Sequence, residues 1–165
     1  MTETIRTADL CDAHPDTMRV FLPGLQSFGG VALFHGPCVT VRTVDDNSVV
    51  KDCLGEPGEG RVLVIDNAGS LRRALVGGNL AELGARNGWA GLIVNGAIRD
   101  RHELAGIEIG ILALASVSMK TDKRGIGTLG VPVSVRGVTV DPGDWIYADL
   151  DGVVSAPHPV HDTHS

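Results

Sequence analysis

Aromatic side chains are scarce in this sequence, which contains two tryptophans, one tyrosine and three phenylalanines. Valine, leucine, isoleucine and alanine must therefore fill most of the core, and an apolar fraction of 43% is sufficient for a globular domain. Glycine is abundant instead, at 22 of 165 residues. Because glycine lacks a Cβ atom, this abundance indicates tight turns and places where the backbone approaches a ligand or another strand.

The sequence also lacks an excess of basic residues and long apolar runs. The formal net charge is −6, whereas a free-standing nucleic-acid-binding domain normally carries a basic patch or a high pI. No apolar run approaches the ~20 residues that span a bilayer, and the first residues lack the apolar segment of a secretory signal. We therefore expect a cytoplasmic protein that binds neither nucleic acid directly nor a membrane.

Cysteine is rare and irregularly placed. Cys11, Cys38 and Cys53 are an odd number at unrelated spacings, with no Cys-x-x-Cys pair among them. This pattern favours buried thiols in a reducing compartment over a disulfide framework.

The apolar pattern predicts a single α/β domain built around a central βαβ unit. Residues 62–65 and 91–94 are continuous apolar runs, typical of strands covered on both faces. Residues 79–87 between them are predicted to form a helix that ends at Gly88. Strand, helix and strand at this spacing predict a parallel sheet.

The remaining elements are predicted from capping, alternation and turn signals. They comprise a helix over residues 7–13 with Thr7 as its N-cap, a β-like alternation over 39–44, a helix after Asp45-Asp46-Asn47, a strand over 111–115, and two turns at Arg136-Gly137 and Asp151-Gly152. The sequence has no internal repeat and no linker, so we expect one domain over residues 1–165 with a core of about 7–157.

The last eight residues carry three histidines, His158, His161 and His164. Their spacing of three would suit a metal only on a helix, and Pro159 and the chain end argue against one. We therefore predict that residues 158–165 form a flexible tail.

The strongest functional signal is Gly77-Gly78-Asn79, directly before the predicted central helix. The first N–H groups of a helix are unpaired and lie at the positive end of its dipole, so they favour a carboxylate or phosphate. Glycine allows such an anion to approach the backbone. A plain Gly-Gly turn is the alternative interpretation.

Charged residues follow the second strand of the same unit. Arg99 can grip a carboxylate through two hydrogen bonds, and Asp100 is an oxygen ligand suited to magnesium or manganese. Glu103 would share a helix face with Asp100 if a helix begins here. An ordinary salt-bridged helix start would produce the same residues, so this stretch alone does not decide the function.

The combined motif resembles that of the RraA-like family: Gly78, twenty residues, Arg99-Asp100, two residues and Glu103. This family includes metal-dependent 4-hydroxy-4-methyl-2-oxoglutarate/4-carboxy-4-hydroxy-2-oxoadipate aldolases and the RraA regulators of ribonuclease E. The resemblance runs from about Asp9 to Pro157. It includes Asp9-Leu10-Cys11-Asp12, Phe28-Gly29-Gly30, Asp46-Asn47, residues 62–66, residues 69–75, residues 120–125, residues 137–140, Pro142-Gly143-Asp144 and Tyr147-Ala148-Asp149.

The resemblance implies a swivelling β/β/α fold, a homotrimer with sites between subunits, and a specific set of ligands. The amides of Gly77, Gly78, Asn79 and Leu80 would bind the carboxylate and oxo end of pyruvate together with Arg99. Asp100 would ligate a divalent metal cation, Mg2+ or Mn2+. The best-studied aldolases have an aspartate where this chain has Gly78, and Glu103 would supply the missing carboxylate through water.

The implied activity is that of a class II, metal-dependent pyruvate aldolase that also decarboxylates oxaloacetate. Arg99, Asp100 and Glu103 are the expected catalytic residues, with His102 as a second candidate for the base. Lys120, Lys123 or Arg124 would meet a second carboxylate of the substrate, unless this stretch is a flexible surface loop.

The alternative function is a non-catalytic regulator that binds and inhibits ribonuclease E, for which an acidic surface is suited. The intact Arg99-Asp100 pair favours the enzyme, because a regulator without catalytic duty does not need it. A nucleotide-type cofactor, such as a methyltransferase would use, is not expected. The sequence has no glycine-rich first βα turn followed by an acidic ribose-binding residue.

Overall fold

A computed structural model describes residues 4–161 of the chain. The helices are α1 (Thr7–Ala13), α2 (Ser48–Leu54), α3 (Gly78–Arg86) and α4 (Arg101–Leu104). The strands are β1 (Arg19–Val20), β2 (Gln26–Ser27), β3 (Phe34–Arg42), β4 (Val62–Asp66), β5 (Ala74–Val76), β6 (Gly91–Ile98), β7 (Gly110–Ser116), β8 (Thr128–Leu129), β9 (Val133–Val135), β10 (Val138–Val140), β11 (Trp145–Ala148) and β12 (Val153–Ala156). No described helix is both long enough and apolar enough to cross a bilayer.

Strand β3 joins the antiparallel and the parallel parts of a ten-stranded sheet. Its first half pairs antiparallel with β11, which continues to β12 and β1. Its second half pairs parallel with β4, and the parallel part continues through β6 to β7. The order along the sheet is β1-β12-β11-β3-β4-β6-β7-β2. This confirms the parallel sheet predicted around the central βαβ unit.

The parallel strands are covered on both faces, as their continuous apolar sequences predict. On one face, Leu63 and Ile65 of β4 pack in a cluster with Leu54 of α2 and Leu80 of α3. On the other face, Val62 and Val64 pack with the valines of the β9–β10 hairpin. The result is a helix layer, a sheet and a second β layer, in agreement with the predicted β/β/α class.

Phe34 of β3 makes a close contact with two glycines of the parallel strands. Its ring lies against Gly91 of β6 and Gly110 of β7, and a Cβ atom on either glycine would overlap the ring. The ring is buried, with 7% of its residue surface exposed. Here glycine is required for close packing rather than for a turn.

Helix α1 confirms the predicted bounds but not the predicted cap. The residue before the helix is Arg6, and Thr7 is the first helical residue, so Thr7 does not cap the helix. Instead, Asp149 accepts hydrogen bonds from the Thr7 amide at 2.7 Å and from the Thr7 hydroxyl at 2.9 Å. The carboxylate thus caps α1 from the other end of the chain.

The chain end is packed further than the sequence predicts. The Tyr147 hydroxyl lies 2.6 Å from Nδ1 of His161 and accepts a hydrogen bond from the Val160 amide at 3.0 Å. The predicted flexible tail is therefore held against β11 as far as residue 161. His164 and the rest of that tail lie outside the described residues.

Candidate functional site

The site is formed where two βα connections meet at the carboxyl ends of neighbouring strands. Strand β5, which the sequence analysis did not predict, pairs parallel with the end of β6 and leads through Gly77 into α3. Arg99 and Asp100 follow β6 directly, and the Arg99 amide donates a hydrogen bond to the Val76 carbonyl at 3.0 Å. This pairing places Arg99-Asp100 beside the first turn of α3, as the βαβ interpretation predicted.

Asp100 binds the start of α3. Its Oδ2 atom accepts a hydrogen bond from the Gly78 amide at 2.8 Å. A Cβ atom on Gly77 would lie only 2.6 Å from the same oxygen, so a glycine there gives the carboxylate room. Asp100 itself has a left-handed backbone with φ of 62°, which is unfavourable for a residue with a side chain. The Gly78 amide is thus satisfied within the chain, which leaves the amides of Asn79 and Leu80 as donors without an intrahelical partner.

Glu103 lies next to the backbone of Gly78. A Cβ atom on Gly78 would overlap Oε2 of Glu103, so the glutamate carboxylate occupies the volume that a side chain at position 78 would fill. Glu103 belongs to α4, which begins after Asp100. A helix does begin here, which was the condition for Asp100 and Glu103 to share a helix face, but Asp100 precedes the helix rather than belonging to it. The two acids contact the Gly77-Gly78 backbone at different atoms.

A cleft of about 270 Å³ opens in front of these residues. Of the predicted site residues, it is lined by Gly77, Asn79, Leu80, Arg99 and Asp100. Gly78, which is buried, and Glu103, which is exposed, do not line it. Its charged lining consists of Lys51, Arg99, Lys120 and Lys123 with the single acid Asp100. In a chain of net charge −6, this local excess of positive charge favours an anionic ligand.

The opposite wall was only partly anticipated by the sequence analysis. It includes Asn47 and Lys51 from the start of α2 and Thr121 from the segment after β7. Asn47 donates from Nδ2 to the Leu75 carbonyl at 3.1 Å, which fixes its orientation. Within the described residues, the buried atoms Asn47 Oδ1 and Thr121 Oγ1 have no hydrogen-bond partner. No sequence signal links residues so far apart, although the sequence analysis marked Asn47 as an N-cap candidate and Lys120 and Lys123 as candidates to meet a second carboxylate.

The other candidates lie at different distances from the cleft. His102 is exposed on α4 and does not line it. Lys120 and Lys123 do line it, whereas Arg124 faces a second depression together with Arg72 and Arg73.

The residues present fit a magnesium or manganese ion that keeps most of its waters. Residues 4–161 contain no group of three or more histidine, cysteine, aspartate or glutamate side chains that could enclose a metal. Asp100 is exposed and has one oxygen outside the bond to Gly78. Magnesium is typically held by one or two carboxylates together with water and substrate oxygens, and the exposed Asp100 would supply one such carboxylate.

The sequence and the fold match known proteins over nearly the whole chain. The family model described as RraA-like, Aldolase/RraA, matches residues 7–155. Proteins of Burkholderia mallei and Burkholderia pseudomallei named "Putative 4-hydroxy-4-methyl-2-oxoglutarate aldolase" are 55% identical over 153 residues, which covers 90% of this chain and 93% of theirs.

Two solved structures are similar throughout. The RNA-processing inhibitor RraA from Thermus thermophilis is 44% identical, with a TM-score of 0.93 and 99% of both chains covered. The S-adenosylmethionine: 2-dimethylmenaquinone methyltransferase from Geobacillus kaustophilus is 40% identical, with a TM-score of 0.93, covering 94% of this chain and 97% of that one.

Proposed function

Because the chain belongs to the RraA-like family, we propose that it is a lyase of the pyruvate aldolase class. It cleaves a 4-hydroxy-2-oxo acid of the 4-hydroxy-4-methyl-2-oxoglutarate type to pyruvate, depends on Mg2+ or Mn2+, and also decarboxylates oxaloacetate. The observation that carries the proposal is the junction of Arg99 and Asp100 with the first turn of α3 in a cationic cleft. The aldolase names of relatives at 55% identity support it.

The chain's own groups suit the pyruvyl end of such a substrate. The first-turn amides of Asn79 and Leu80 and the guanidinium of Arg99 would bind the carboxylate and the 2-oxo oxygen. Asp100, together with Glu103 through water, would hold the cation, which supplies Lewis-acid stabilisation of enolate charge when bound.

The cleavage itself needs a base. As the C3–C4 bond breaks, its electrons form the enolate of pyruvate, and the proton of the 4-hydroxyl must leave to give a carbonyl product. We assign this proton to a water held by Glu103, whose carboxylate lies beside the backbone of Gly78 at the start of α3. His102 is the second candidate; neither Glu103 nor His102 lines the cleft itself. Loss of carbon dioxide from oxaloacetate forms the same enolate, so one site serves both reactions.

Pyruvate release tests the proposal directly. Oxaloacetate and 4-hydroxy-4-methyl-2-oxoglutarate are each supplied with Mg2+ and then with EDTA, beside the Arg99→Ala variant. We expect metal-dependent release that falls by at least 10²-fold in Arg99→Ala, since the guanidinium is a positioned charge on the reacting group. Arg86→Ala, an exposed arginine at the end of α3, is the matched control.

A second candidate function follows from the likeness to the Thermus RNA-processing inhibitor and from the acidic net charge. If neither substrate releases pyruvate, regulation of ribonuclease E by direct binding becomes the better explanation. Binding to that enzyme, measured by calorimetry, is then the experiment to perform, with loss of affinity at higher salt as the signature of a charged interface.

We also propose that the chain forms a homotrimer in which the exposed apolar residues beside the cleft are buried. Val44 is 56% exposed, Leu71 is 47% exposed and Met119 is 57% exposed. Val44 and Met119 line the depression that contains Arg72, Arg73 and Arg124. Apolar side chains with arginine at their rim are typical of protein interfaces.

A further inference from the structure

Residues 157–161, here called the C-terminal strap, are held on β11 by a cluster of rings. The cluster comprises Trp145 and Tyr147 of β11, His35 of β3 and His161 of the strap. The centroid of the His161 ring lies 5.0 Å from that of His35, 5.3 Å from that of Trp145 and 5.5 Å from that of Tyr147. His35 and Tyr147 are paired across β3 and β11, and their rings stack at 5.8 Å. The last described residue of the chain thus closes a ring cluster that two strands build.

The Tyr147 hydroxyl determines which form of His161 fits this cluster. Its oxygen accepts hydrogen bonds from the amides of Val160 at 3.0 Å and His161 at 3.4 Å. Nδ1 of His161 lies 2.6 Å from the same oxygen. Because two amides already donate to the oxygen, the hydroxyl proton is directed to Nδ1, which must be the unprotonated nitrogen of a neutral imidazole. Burial raises the pKa of Tyr147, so the hydroxyl keeps this proton.

Protonation of His161 would remove the acceptor of that hydrogen bond. A hydrogen on Nδ1 would face the hydroxyl hydrogen, and the oxygen has no lone pair left for a third donor. The imidazolium would also lie beside His35, at 5.0 Å between centroids, where a second positive charge is repelled. Partial desolvation of the His35 ring first, and the charge of His161 second, lower the pKa of His35. Both rings are therefore neutral when the strap is bound.

No opposite charge compensates for an imidazolium at this place. Neither histidine forms an ion pair within residues 4–161. The other titratable or charged groups on the surrounding elements are Arg6 before α1, Cys11 of α1, Tyr147 of β11 and His158 of the strap itself. Arg6 and His158 are exposed. Burial first, and then the charges of Asp12 and Asp149, raise the pKa of the Cys11 thiol, which therefore stays neutral.

We propose that the C-terminal strap is a pH-dependent switch, bound to β11 while His35 and His161 are neutral and released when they take up protons. Release would uncover the Tyr147 hydroxyl, whose three hydrogen-bond contacts are all to the strap. It would also withdraw Val160 from the apolar cluster beneath α1.

The direction of the switch follows from proton linkage. Histidine in an unstructured chain titrates at about pH 6.5, whereas the pKa of His35 is lowered when the strap is bound. The released strap therefore binds more protons than the bound strap as the pH falls below that value. Binding of the strap is fully favourable above about pH 7 and weakens toward pH 5.

Exchange of the Val160 amide hydrogen measures the switch directly, because this amide donates to the Tyr147 hydroxyl. The exchange rate in the full-length protein is followed by NMR at pH 7.5 and 5.5, and each rate is compared with the intrinsic rate at that pH. We expect the protection factor of Val160 to fall at least tenfold at pH 5.5. The amide of Val64, in the centre of β4, is the internal reference and should stay protected at both pH values.

Two variants of the strap distinguish the switch from general acid destabilisation. His161→Phe keeps a ring in the cluster that cannot be protonated, so the protection of Val160 should lose most of its pH dependence. His158→Gln is the matched control, because His158 is exposed on the same strap and its Nδ1 lies 3.2 Å from the neighbouring Pro159 carbonyl oxygen. It should retain the tenfold fall. Equal protection of Val160 at both pH values in the wild-type protein would overturn the inference, as would an undiminished fall in His161→Phe.

The ring protons of the wild-type protein decide the outcome even if His161→Phe does not bind the strap. The Cε1 proton signals of His35 and His161 report the protonation of each ring as the pH is lowered. We expect the protection of Val160 to be lost over the pH range in which these two rings titrate. Loss of protection at a pH where both rings keep their protonation state would assign the release to other groups and overturn the inference. Because exchange is measured without substrate, the result does not depend on the proposed lyase activity.

Discussion

At the scale of single residues, one volume behind the α3 terminus is shared by Gly78 and Glu103. The Glu103 carboxylate occupies the volume that a side chain at position 78 would enter, and it would have to move to admit one. The acid placed by α4 can therefore substitute for the aspartate that the resemblance assigns to position 78 in the best-studied aldolases.

Exchanging the two acids tests this equivalence. Glu103→Ala should reduce pyruvate release by about 10²-fold, the usual contribution of a positioned base. The double variant Gly78→Asp/Glu103→Ala should recover at least tenfold of that loss, because the new carboxylate enters the vacated volume. Steady-state kinetics on 4-hydroxy-4-methyl-2-oxoglutarate measure both effects.

The control for this exchange is Glu82→Ala, which removes an exposed glutamate from the middle of α3. It should leave turnover unchanged. Full activity in Glu103→Ala would contradict the assignment of the base, and His102→Ala would then be the variant to measure.

The raised pKa values of two buried thiols predict that the stability of the fold decreases at alkaline pH. Burial raises the pKa of Cys38 to about 12 and that of Cys53 to about 11. In the unfolded chain these thiols ionise at lower pH, so between about pH 9 and 11 the unfolded state releases protons that the folded state retains. The free energy of unfolding should therefore fall as pH rises through this range, as urea titrations at pH 7, 9 and 10 would measure.

The double variant Cys38→Ala/Cys53→Ala separates ionisation from packing. It should be less stable at pH 7 because two buried side chains are shortened, yet its stability should decline less steeply above pH 9. An undiminished slope would assign the alkaline loss to other groups.

At the scale of elements, the cap of α1 shows how a helix end depends on distant sequence. Asp149 is buried, at 8% exposed, and it binds both the amide and the hydroxyl of Thr7. Asp149→Ala should lower the free energy of unfolding by about 1–2 kcal/mol, the usual cost of losing a helix cap. Thermal and urea unfolding of the variant measure it.

Thr7→Val separates the contributions of the two hydrogen bonds to helix stability. It removes the bond from the Thr7 hydroxyl and keeps the bond from the residue 7 amide to Asp149. Its cost should be smaller than that of Asp149→Ala. If the two variants destabilise equally, the amide bond contributes nothing, and the capping explanation is wrong.

Helices and strands that carry a clear apolar pattern in the sequence were predictable. Residues 62–65, 79–87 and 91–94 each carry an apolar run or a helical pattern, and the structure forms β4, α3 and β6 there. Strands β1, β2 and β8 have two residues each and β5 has three, which is too short for any period to appear. Their positions are decided by the partners they pair with, which are distant in sequence.

At the scale of the whole molecule, half of the site could be predicted and half could not. Arg99, Asp100 and the α3 terminus belong to one βαβ unit, so local pattern and topology place them together. The opposite wall joins Asn47 to Thr121 across more than seventy residues through the pairing of Asp46 with Asp122. No local signal encodes that pairing, because it depends on a buried carboxylate and backbone amides.

The proposed trimer predicts that a charge introduced at its interface disrupts assembly, whereas a charge elsewhere on the surface does not. Met119→Lys places a charge in the exposed apolar set of Val44, Leu71 and Met119, and it should shift the assembly from trimer to monomer in sedimentation velocity experiments. Leu150→Lys is the control, since Leu150 is 80% exposed and lies in a different depression. A variant Met119→Lys that sediments like the wild-type protein would place the interface elsewhere.

The contact of Phe34 with Gly91 and Gly110 has a consequence for the evolution of this fold. A phenyl ring at position 34 forbids any side chain at the two facing positions, while a smaller residue at 34 would release both. Substitutions at these three sites are therefore not independent, and the two glycines should vary among relatives only where the aromatic ring has been lost first. Although separated by up to 76 positions in the chain, the three residues should therefore be inherited as one unit.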